Sequence, residues 1–413
     1  MTVRDMTTRP VPSLALLAAV TALAFCALHM VVPALPLLVA VFNDTAAHVQ
    51  LVLSLYLAGI AAGQLVYGPL SDRFGRRPVL IAGLVMFLLG TLLCGLAPSL
   101  GLLIAGRVLQ GVGACAGVVL ARAIIRDVYE REAAARGLAL VMMAMTLAPA
   151  VSPAFGAYLT EWVDWRAIFA LLGVLGAVVF LVVLARLGET NLSRTRLDLA
   201  GMARAYVELL RSPAFAGFAL CSACTSASWF TFIASAPHLL VEALHEPAST
   251  YGLMILFPMG TYMLGNALAA RFAPRFGSLN LLIWGRVIAL TGAAAAMLWF
   301  LFGVPSVWAL FLPIAFAEIG DGLSQPSTMA AGLSIYPRLA GTASGLIGFL
   351  QMAMAAAGSF IVALLPRDTS FGMIAVFAGF VAVALGFGLF AVRRQPRSAL
   401  SVVTTAPAPA EGG

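Results

Sequence analysis

Two carboxylates stand close together in a segment of the sequence that is otherwise apolar. Glu318 and Asp321, with Gly322 and Gln325, are spaced so that all four would form one stripe on an α-helix. Two carboxylates this close cannot both ionise cheaply in a low dielectric, so we expect one of them to hold a proton at neutral pH. That arrangement would suit proton binding and release. A structural pair bonded to neighbouring helices is the alternative.

Three further ionisable side chains lie inside long apolar segments: His29, Arg107 and Arg286. Gln110 and Gly111 follow Arg107 at helical spacing and share its face, which favours a place inside a cavity over an arginine that reaches outward to the headgroups. For Arg286 we favour either a side chain that reaches outward to the lipid headgroups or a structural ion pair. His29 suits proton transfer and a hydrogen-bonded core position equally well. The predicted proton-coupling residues are Glu318, Asp321, His29 and Arg107.

An uncharged polar face occurs between residues 213 and 238, where hydroxyl and aromatic side chains recur at helical spacing. Such residues either contact a substrate or serve ordinary helix packing in a membrane. With two amides from the stripes described above, they complete a predicted substrate cavity. Its residues are Gln110, Thr225, Ser226, Trp229, Phe232 and Gln325.

The composition indicates the surroundings of these groups. Of 413 residues, 62% are hydrophobic and only 10% are charged, whereas soluble domains carry roughly 25% charged residues. The chain is therefore expected in lipid. A charge near the centre of a bilayer costs about 2.5–3.5 kcal/mol on insertion scales, which makes each ionisable group in an apolar segment a candidate for function.

The 24 basic residues are all arginine. Without lysine, the chain cannot form the phosphate-binding P-loop of an ATPase or a Schiff base with retinal or pyridoxal. No group of His, Cys and carboxylate residues has metal-ligand spacing, and no segment suggests a soluble catalytic domain. We therefore expect no cofactor, no metal and no enzymatic activity.

Apolar stretches of at least about 18 residues predict twelve transmembrane helices. The predicted spans are 14–37, 48–69, 79–97, 101–124, 137–160, 166–187, 213–238, 249–271, 280–302, 307–333, 341–365 and 371–392. A longer polar stretch follows the sixth span and divides the chain. The predicted parts are an N-terminal six-helix bundle (1–187), a linker (188–212), a C-terminal six-helix bundle (213–392) and a disordered tail (393–413).

The linker carries its own pattern. Apolar residues recur there at helical spacing between arginines, which predicts an amphipathic helix on the membrane surface. The apolar positions are Leu199, Met202, Ala203, Tyr206 and Leu210.

The arginines also indicate an orientation. If both termini are cytoplasmic, 20 of the 24 arginines lie in cytoplasmic segments, whereas two, Arg166 and Arg367, lie in the opposite loops. This bias predicts that both termini and the linker are cytoplasmic.

A charged loop follows the second span, with the sequence Gly68-Pro69-Leu70-Ser71-Asp72-Arg73-Phe74-Gly75-Arg76-Arg77. It resembles the G-x-L-x-D-R-x-G-R-R loop of the major facilitator superfamily. The resemblance implies an all-α integral membrane fold, with two six-helix bundles around a central cavity. It also implies a cytoplasmic gate that forms and breaks during transport, made of Gly68, Asp72, Arg73, Gly75, Arg76 and Arg77. Asp127, at the inner end of the fourth span, is a candidate partner for the loop arginines.

A fainter copy of this region supports two repeated halves. It stands 202 residues later, where Gly265-Asn266 matches Gly63-Gln64 and Arg275-Phe276-Gly277 matches Arg73-Phe74-Gly75, with Pro274 in place of the acidic residue. Aligning Gly111 with Gly322 also sets Arg107 against Glu318. This pseudo-symmetry predicts an arginine that faces the carboxylate and lowers its proton affinity.

Three stretches narrow the resemblance to the drug–proton antiporters. Arg107-Val108-Leu109-Gln110-Gly111 resembles their R-x-x-Q-G motif. The segment 149–156 resembles their antiporter motif through Pro149, Ser152, Pro153 and Gly156, although Ser152 replaces the usual glycine. Asp164-Trp165-Arg166-Ala167-Ile168-Phe169 and Glu189-Thr190 are similar to the bicyclomycin-resistance (Bcr/CflA) branch. That branch commonly has an aspartate where His29 stands, so its proton site does not carry over unchanged.

These features predict a secondary active transporter of a bacterial inner membrane. We expect a proton-coupled antiporter that exports small hydrophobic drugs or metabolites by alternating access, and proton-coupled uptake of a small metabolite is the alternative. Its expected partners are the small-molecule substrate, protons and the lipid bilayer. We expect no nucleic acid partner and a functional monomer.

Overall fold

Long apolar helices dominate the computed structural model, which describes residues 12–191, 199–365 and 370–395. The α-helices in these ranges are α1 (Leu14–His29), α2 (Leu35–Phe42), α3 (Ala46–Phe74), α4 (Arg76–Gly95), α5 (Leu100–Val128), α6 (Arg131–Trp162), α7 (Arg166–Arg186), α8 (Leu199–Arg211), α9 (Pro213–His238), α10 (Ala248–Met254), α11 (Leu256–Phe276), α12 (Ser278–Phe302), α13 (Val307–Ser334), α14 (Ala340–Ala363) and α15 (Ser370–Arg394). Within the described ranges, twelve helices or helix groups are long and apolar enough to span a membrane. The prediction of twelve spans is confirmed.

Successive spans run in opposite directions and, apart from the linker between α7 and α9, are joined by short loops at two ends of the molecule. We name these ends after one residue in each. The Asn43 end holds the loop between α2 and α3. The Gly75 end holds the short turn between α3 and α4, and the equivalent turn at Gly277 between α11 and α12.

Proline breaks two of the spans into shorter helices. In the first span, Pro33 and Pro36 lie where α1 gives way to a 3-10 turn and then to α2. In the eighth span, α10 and α11 are separated at Ile255, three residues before Pro258. Proline has no backbone N–H and its ring crowds the preceding turn, so a helix bends or restarts beside it.

The two halves repeat one helix contact at which glycine is required. A Cβ atom at Gly111 of α5 would collide with the carbonyl oxygen of Tyr56 on α3, and one at Gly322 of α13 would collide with that of Tyr262 on α11. Small residues allow membrane helices to approach this closely. The contact therefore supports the alignment of Gly111 with Gly322.

The same contact corrects the register of the fainter repeat. Gly59 faces Val108 of α5, and Gly265 faces Ile319 of α13, so Gly59 is the counterpart of Gly265 in this packing. The sequence had matched Gly63, which instead packs on Cys115. Both α3 and α11 nevertheless end at a glycine with positive φ, Gly75 at 103° and Gly277 at 81°. The mismatch arises because α3 runs four residues, about one turn, further past this contact than α11.

Helix α8 lies in the linker and packs against α9 and α14. Leu209 is fully buried, whereas Leu210 is 48% exposed. Tyr206 is half-buried, and its hydroxyl donates to the carbonyl oxygen of Leu65 at 3.4 Å. Part of the linker (192–198), the side chain of Leu199 and the end of the tail (396–413) lie outside the described residues.

The N-terminal half (α1–α7) and the C-terminal half (α9–α15) meet along two seams. Along the first, α3 packs on α14, where Gln50 Nε2 donates to Ser359 Oγ at 2.7 Å. The second joins α6 to α10 near the Asn43 end, where a Cβ at Gly252 would lie 2.7 Å from Ala154 Cα. The Ser249 N–H also donates there to Glu161 Oε1 at 2.7 Å. The halves are therefore closed against each other at the Asn43 end.

Candidate functional site

A cavity of about 240 Å³ lies between the two halves. Five helices line it, namely α1 and α6 from the N-terminal half and α9, α11 and α13 from the C-terminal half. Met142 lines the cavity and is 57% exposed, and it lies closer to the Gly75 end than the other α6 residues of the wall. The cavity is therefore accessible from the Gly75 end.

Seven of the ten residues predicted for proton coupling and the substrate cavity line this cavity. They are His29, Thr225, Ser226, Trp229, Glu318, Asp321 and Gln325, together with Pro149 of the antiporter motif. The rest of the wall is largely apolar or aromatic: Phe25, Met142, Met145, Thr146, Phe230, Met259 and Tyr262. Thioether side chains adapt to ligands of different shape, and the three methionines were not predicted because methionine is also common in ordinary helix packing.

Glu318 and Asp321 differ sharply in their partners. Arg286 Nη2 lies 2.6 Å from Asp321 Oδ1, and the two side chains are 0% and 2% exposed. The same guanidinium donates to Thr225 Oγ1 at 2.6 Å and, through Nε, to Ser324 Oγ at 2.8 Å. Asp321 is thus held as a carboxylate in a buried ion pair, which is the structural role favoured for Arg286.

Glu318 has no such partner. It is buried, and its Oε1 lies without a hydrogen-bond partner. A negative charge on Glu318 would be costly, because burial removes its hydration and no cation is paired with it. The nearby guanidinium of Arg286 is already paired with Asp321. A proton or a bound cation on Glu318 removes that cost. The structure therefore separates the two carboxylates, which the sequence did not.

His29 lines the same cavity from α1 of the N-terminal half. Its Nδ1 lies 2.9 Å from the carbonyl oxygen of Phe25, and its buried Nε2 has no partner. The ring lies 6.0 Å from that of Phe230 between centroids.

Arg107 and Gln110 do not line the cavity. Arg107 is fully buried, and it donates to the carbonyl oxygens of Val52 at 3.0 Å and Ala27 at 2.9 Å. It also bonds Gln110 Oε1 at 2.6 Å, and its guanidinium lies over the Tyr56 ring, 3.9 Å from the centroid. Arg107 therefore joins α1, α3 and α5. The expectation that it faces Glu318 is wrong, because its donors are directed to carbonyls of its own half.

Gln110 and Phe232 lie elsewhere than predicted. Gln110 Nε2 donates to Thr91 Oγ1 at 2.8 Å, which ties α5 to α4. Phe232 is buried, and its ring packs edge-on against Phe311 with centroids 5.6 Å apart. It supports the cavity through Trp229, whose ring lies 5.6 Å from its own.

The hydroxyl face of α9 is tied to two neighbouring helices. Ser222 Oγ donates to Gln325 Oε1 at 3.1 Å and accepts from Gln351 Nε2 at 2.8 Å. Ser226 donates to the backbone carbonyl of Ser222 at 3.3 Å. The helix-packing alternative therefore holds for Ser222, while Ser226 and Trp229 face the cavity.

The antiporter motif lies at the Asn43-end seam. A Cβ at Gly156 would collide with the carbonyl oxygen of Met30, so this glycine allows α6 to pack on the end of α1. Pro153 and Ala154 face Gly252 of the other half. Ser152 is buried and its hydroxyl has no partner in the described structure.

The charged loop at the Gly75 end forms a compact network. Arg76 lies 2.6 Å from Asp72 Oδ1 and 2.8 Å from Asp127 Oδ2. Its Nη1 also donates to Ser71 Oγ at 2.6 Å. Asp127 thus pairs with a loop arginine, as the sequence had suggested.

Glu189 supports this loop from the end of α7. Its carboxylate accepts from the backbone N–H of Arg76 at 2.8 Å and of Arg77 at 3.3 Å, at the N-terminus of α4. A carboxylate at a helix N-terminus satisfies free N–H groups and the helix dipole. The sequence pointed to Glu189-Thr190 only as a resemblance, because the cap joins residues 113 positions apart.

Two gate residues make little contact in this conformation. A Cβ at Gly68 would meet nothing within 4 Å, so no neighbouring helix requires glycine there. Arg73 has its guanidinium over the Phe74 ring, 5.0 Å from the centroid.

Comparison with known proteins identifies the family to which this fold and loop belong. The family model of the Major Facilitator Superfamily matches residues 17–359. The chain belongs to this superfamily. The match confirms the resemblance drawn from the charged loop, and it makes the chain a multi-pass membrane protein of a transporter family.

Relatives within the superfamily carry drug-resistance names. The chain is 32% identical over 374 residues to the chloramphenicol resistance protein of Pseudomonas aeruginosa, covering 88% of this chain and 87% of that protein. It is 26% identical over 352 residues to a bicyclomycin resistance protein homolog of Haemophilus influenzae, covering 85% and 88%. The expected kinship with the drug-resistance branch of the superfamily is confirmed.

A solved superfamily structure shares the fold. It is a bacterial homolog of the human lysosomal transporter Spinster in an inward-facing and occupied conformation. The TM-score is 0.72, the sequences are 18% identical, and the match covers 92% of this chain and 96% of that one.

Proposed function

We propose that this chain is a proton-coupled antiporter that exports small, largely apolar compounds by alternating access. The observation that carries the proposal is the unpartnered Oε1 of Glu318 in the wall of a cavity between the two halves. Proton exchange needs a group that binds and releases a proton and is reachable from each side in turn. Glu318 lies in the cavity, whereas the charge of Asp321 is occupied by Arg286.

In this mechanism, cargo enters the cavity from the Gly75 end and displaces the proton of Glu318. The halves then close at the Gly75 end and separate at the Asn43 end, where the seam of Ala154 and Gly252 opens. Cargo leaves and a proton returns to Glu318. The available energy is adequate, at about 2.3 kcal/mol per charge for each 100 mV and about 1.4 kcal/mol per pH unit.

His29 is the second proton-coupling candidate, because it lines the same cavity and its buried Nε2 has no partner. Arg107 is a positioning residue in this proposal. It holds α1, which carries His29, against α3 and α5. The charged loop with Asp72, Arg76 and Asp127 serves as the cytoplasmic gate that biases the two access states.

The arginine distribution supports the orientation. With the Gly75 end in the cytoplasm, both termini and the linker lie there too, in the inner membrane of a bacterium. The cavity is then open to the cell interior. A complete cavity within one chain is consistent with a functional monomer, and we propose transport of a small molecule without an enzymatic step, a cofactor or a nucleic acid partner.

Uptake by proton symport is the second candidate. In that case Glu318 would bind a proton and take part in binding a metabolite in the same step. The fold itself is compatible with import and with export. Export is favoured by the antiporter motif at the Asn43-end seam and by the drug-resistance names of the relatives.

The test has two stages. Expression in a bacterial strain lacking its own exporters, challenged with a compound panel that includes chloramphenicol and bicyclomycin, selects the compound to which resistance rises most. Labelled compound is then followed in proteoliposomes of the full chain, with protein-free liposomes as control. Antiport predicts accumulation when the lumen is acidic. Accumulation only when the outside is acidic would identify symport and overturn the proposal.

A further inference from the structure

Arg122 of α5 carries a positive charge that no described carboxylate neutralises. Its side chain is half-buried, its Nη2 lies 3.3 Å from the thioether sulfur of Met145 on α6, and its buried Nε has no hydrogen-bond partner. A thioether sulfur is only a weak acceptor. None of the ion pairs in the described ranges includes Arg122. Buried charges are normally paired, so this exception requires an explanation.

The position of Arg122 places it beside the entrance of the cavity. It follows Cys115, which packs on Gly63 of α3, by seven residues and so shares that face of α5. Its guanidinium reaches Met145, which lines the cavity. The side chain therefore lies between α3 and α6, the two helices that form seams with the other half. Since Arg122 is six residues, about 9 Å, from the Gly75 end of α5, a molecule that enters from this end passes close to it.

The acidic residues of the same half do not supply the missing anion. Asp127 is paired with Arg76 at 2.8 Å. Glu130 and Glu132, at the junction of α5 and α6, precede Met145 by at least 13 residues, which is about 20 Å along α6. The guanidinium lies at the depth of Met145, well inside this junction. An anion from outside the chain is therefore needed to neutralise it in this conformation.

Closure of the two halves at the Gly75 end would not supply a carboxylate either. Helices α11 and α14 and the part of α13 after Asp321 contain no acidic residue. On α8, Glu208 is paired with Arg338. The helices of the other half that face this entrance thus offer Arg122 no carboxylate in either access state.

We infer that Arg122 binds the head group of an amphiphilic oxyanion, a carboxylate or phosphate that carries an apolar body, at the Gly75-end entrance of the cavity. The planar guanidinium presents a fork of donors that matches two oxygens of such a group. The apolar body lies against Met142 and Met145, whose flexible thioethers adapt to different shapes. An amphiphilic carboxylate and an anionic phospholipid share this chemistry.

This site is separate from Glu318, and the inference goes beyond the proposed function. It holds for export and for uptake, because it concerns the entrance and not the direction of transport. It is tested by binding alone, without a proton gradient. A failure of pH-driven flux would therefore leave it intact, and a failure of anion binding would leave the proposed exchange intact.

The experiment measures the affinity of the purified full chain for two matched probes in a nonionic detergent at neutral pH, by calorimetry. The anion is para-hexylbenzoate, and its uncharged counterpart is para-hexylbenzamide. We expect the anion to bind roughly tenfold more tightly, because its hydrogen bonds to the guanidinium are charge-assisted. Equal affinities for the two probes in the unmodified protein would overturn the inference whatever any variant does.

Three variants assign the preference to Arg122. Arg122→Met should remove it, leave the benzamide affinity unchanged and unfold at the parent's temperature or above, because an unpaired buried charge is lost. Arg122→Lys, which keeps the charge without the fork, should retain part of the preference. Arg186→Met, at an exposed arginine of the Gly75 end of α7, is the matched control and should retain all of it. A preference that survives Arg122→Met, or a clear loss of stability in that variant, would assign the arginine to helix packing and overturn the inference.

A competition experiment separates the two sources of the oxyanion. Dioleoyl phosphatidylglycerol in the micelles should displace benzoate if the occupant is an anionic lipid, whereas dioleoyl phosphatidylcholine should not. Benzoate binding that resists both lipids would identify an amphiphilic carboxylate as the occupant. Equal displacement by both lipids would show that apolar bulk competes and charge does not, which would count against an oxyanion site.

Discussion

Arg286 binds Asp321 and leaves Glu318 unpaired, although the two carboxylates are three residues apart on α13. One carboxylate of the stripe is fixed in an ion pair, and Oε1 of the other has no partner. The Arg286 guanidinium is also held by Thr225 and Ser324, so it is not released to Glu318 by a small rotation.

The first prediction separates the two carboxylates by their effect on coupling. Glu318→Gln should abolish pH-driven flux, with thermal unfolding in detergent close to that of the parent, because it removes no hydrogen bond of Oε1. Flux is measured in proteoliposomes beside Asp321→Asn and His29→Ala. If both carboxylate variants keep pH-driven flux and His29→Ala loses it, the coupling site lies on α1 and the assignment to Glu318 is wrong.

The second prediction concerns the buried ion pair. Asp321→Leu should destabilise the protein by about 3–5 kcal/mol, since it leaves the Arg286 charge buried and unpaired. The double variant Asp321→Leu with Arg286→Met should recover most of that loss, because an apolar pair carries no desolvation cost. Thermal unfolding of the two singles and the double forms the cycle. Additive losses in the double variant would show that the pair is not a unit.

The third prediction concerns the charged loop. Asp72→Asn combined with Asp127→Asn should slow transport strongly while the protein still inserts, because partly exposed ion pairs contribute only about 0–1 kcal/mol to stability. Asp72 is 45% and Asp127 25% exposed. Asp164→Asn, an exposed carboxylate at the Asn43 end, is the control. Normal flux in the double variant would remove the loop from the gating mechanism.

The fourth prediction compares two glycines of α5. Gly111→Ala should destabilise by about 1–3 kcal/mol, because the added methyl group meets the backbone of Tyr56. Gly101→Ala meets nothing within 4 Å and should be neutral or stabilising by about 0.5–1 kcal/mol, since alanine favours helix. Thermal unfolding in one detergent checks both. An equal effect of the two changes would contradict the close contact of α3 and α5.

The fifth prediction concerns topology. Reporter fusions after Arg397 and at Asp44 should report opposite sides of the membrane, with the first in the cytoplasm. The signal from Arg397 should match that from a fusion in the turn at Gly277. Equal signals from Arg397 and Asp44 would refute the twelve-span arrangement.

The sequence predicted the spans well because hydropathy acts over a whole helix and tolerates local error. It also selected about half of the cavity wall, since polar groups such as Glu318 and Gln325 stand out in an apolar segment. The sequence did not predict the direction in which a long side chain points. Arg107 could reach several helices from the same backbone position, and only the packing of α1 and α3 against α5 shows that it binds carbonyls.

Errors of register have a similar origin. The match of Gly63 with Gly265 failed because α3 has an extra turn before its terminal glycine. The identity of the partner of Asp321 was also open, since Arg286 is 35 residues away on another helix.

The seam between α3 and α14 is the longer of the two contacts between the halves described above. Contacts along it run from Gln50 and Ser359 to Gln64 and Gly348, a length of about 21 Å at 1.5 Å per residue. The other seam, between α6 and α10, joins the halves near one end. In the proposed mechanism, residues along the first seam are therefore expected to shift least while the outer helices move furthest. Cargo near α3 and α14 would then contact both halves early in closure, and cargo near α6 would do so last.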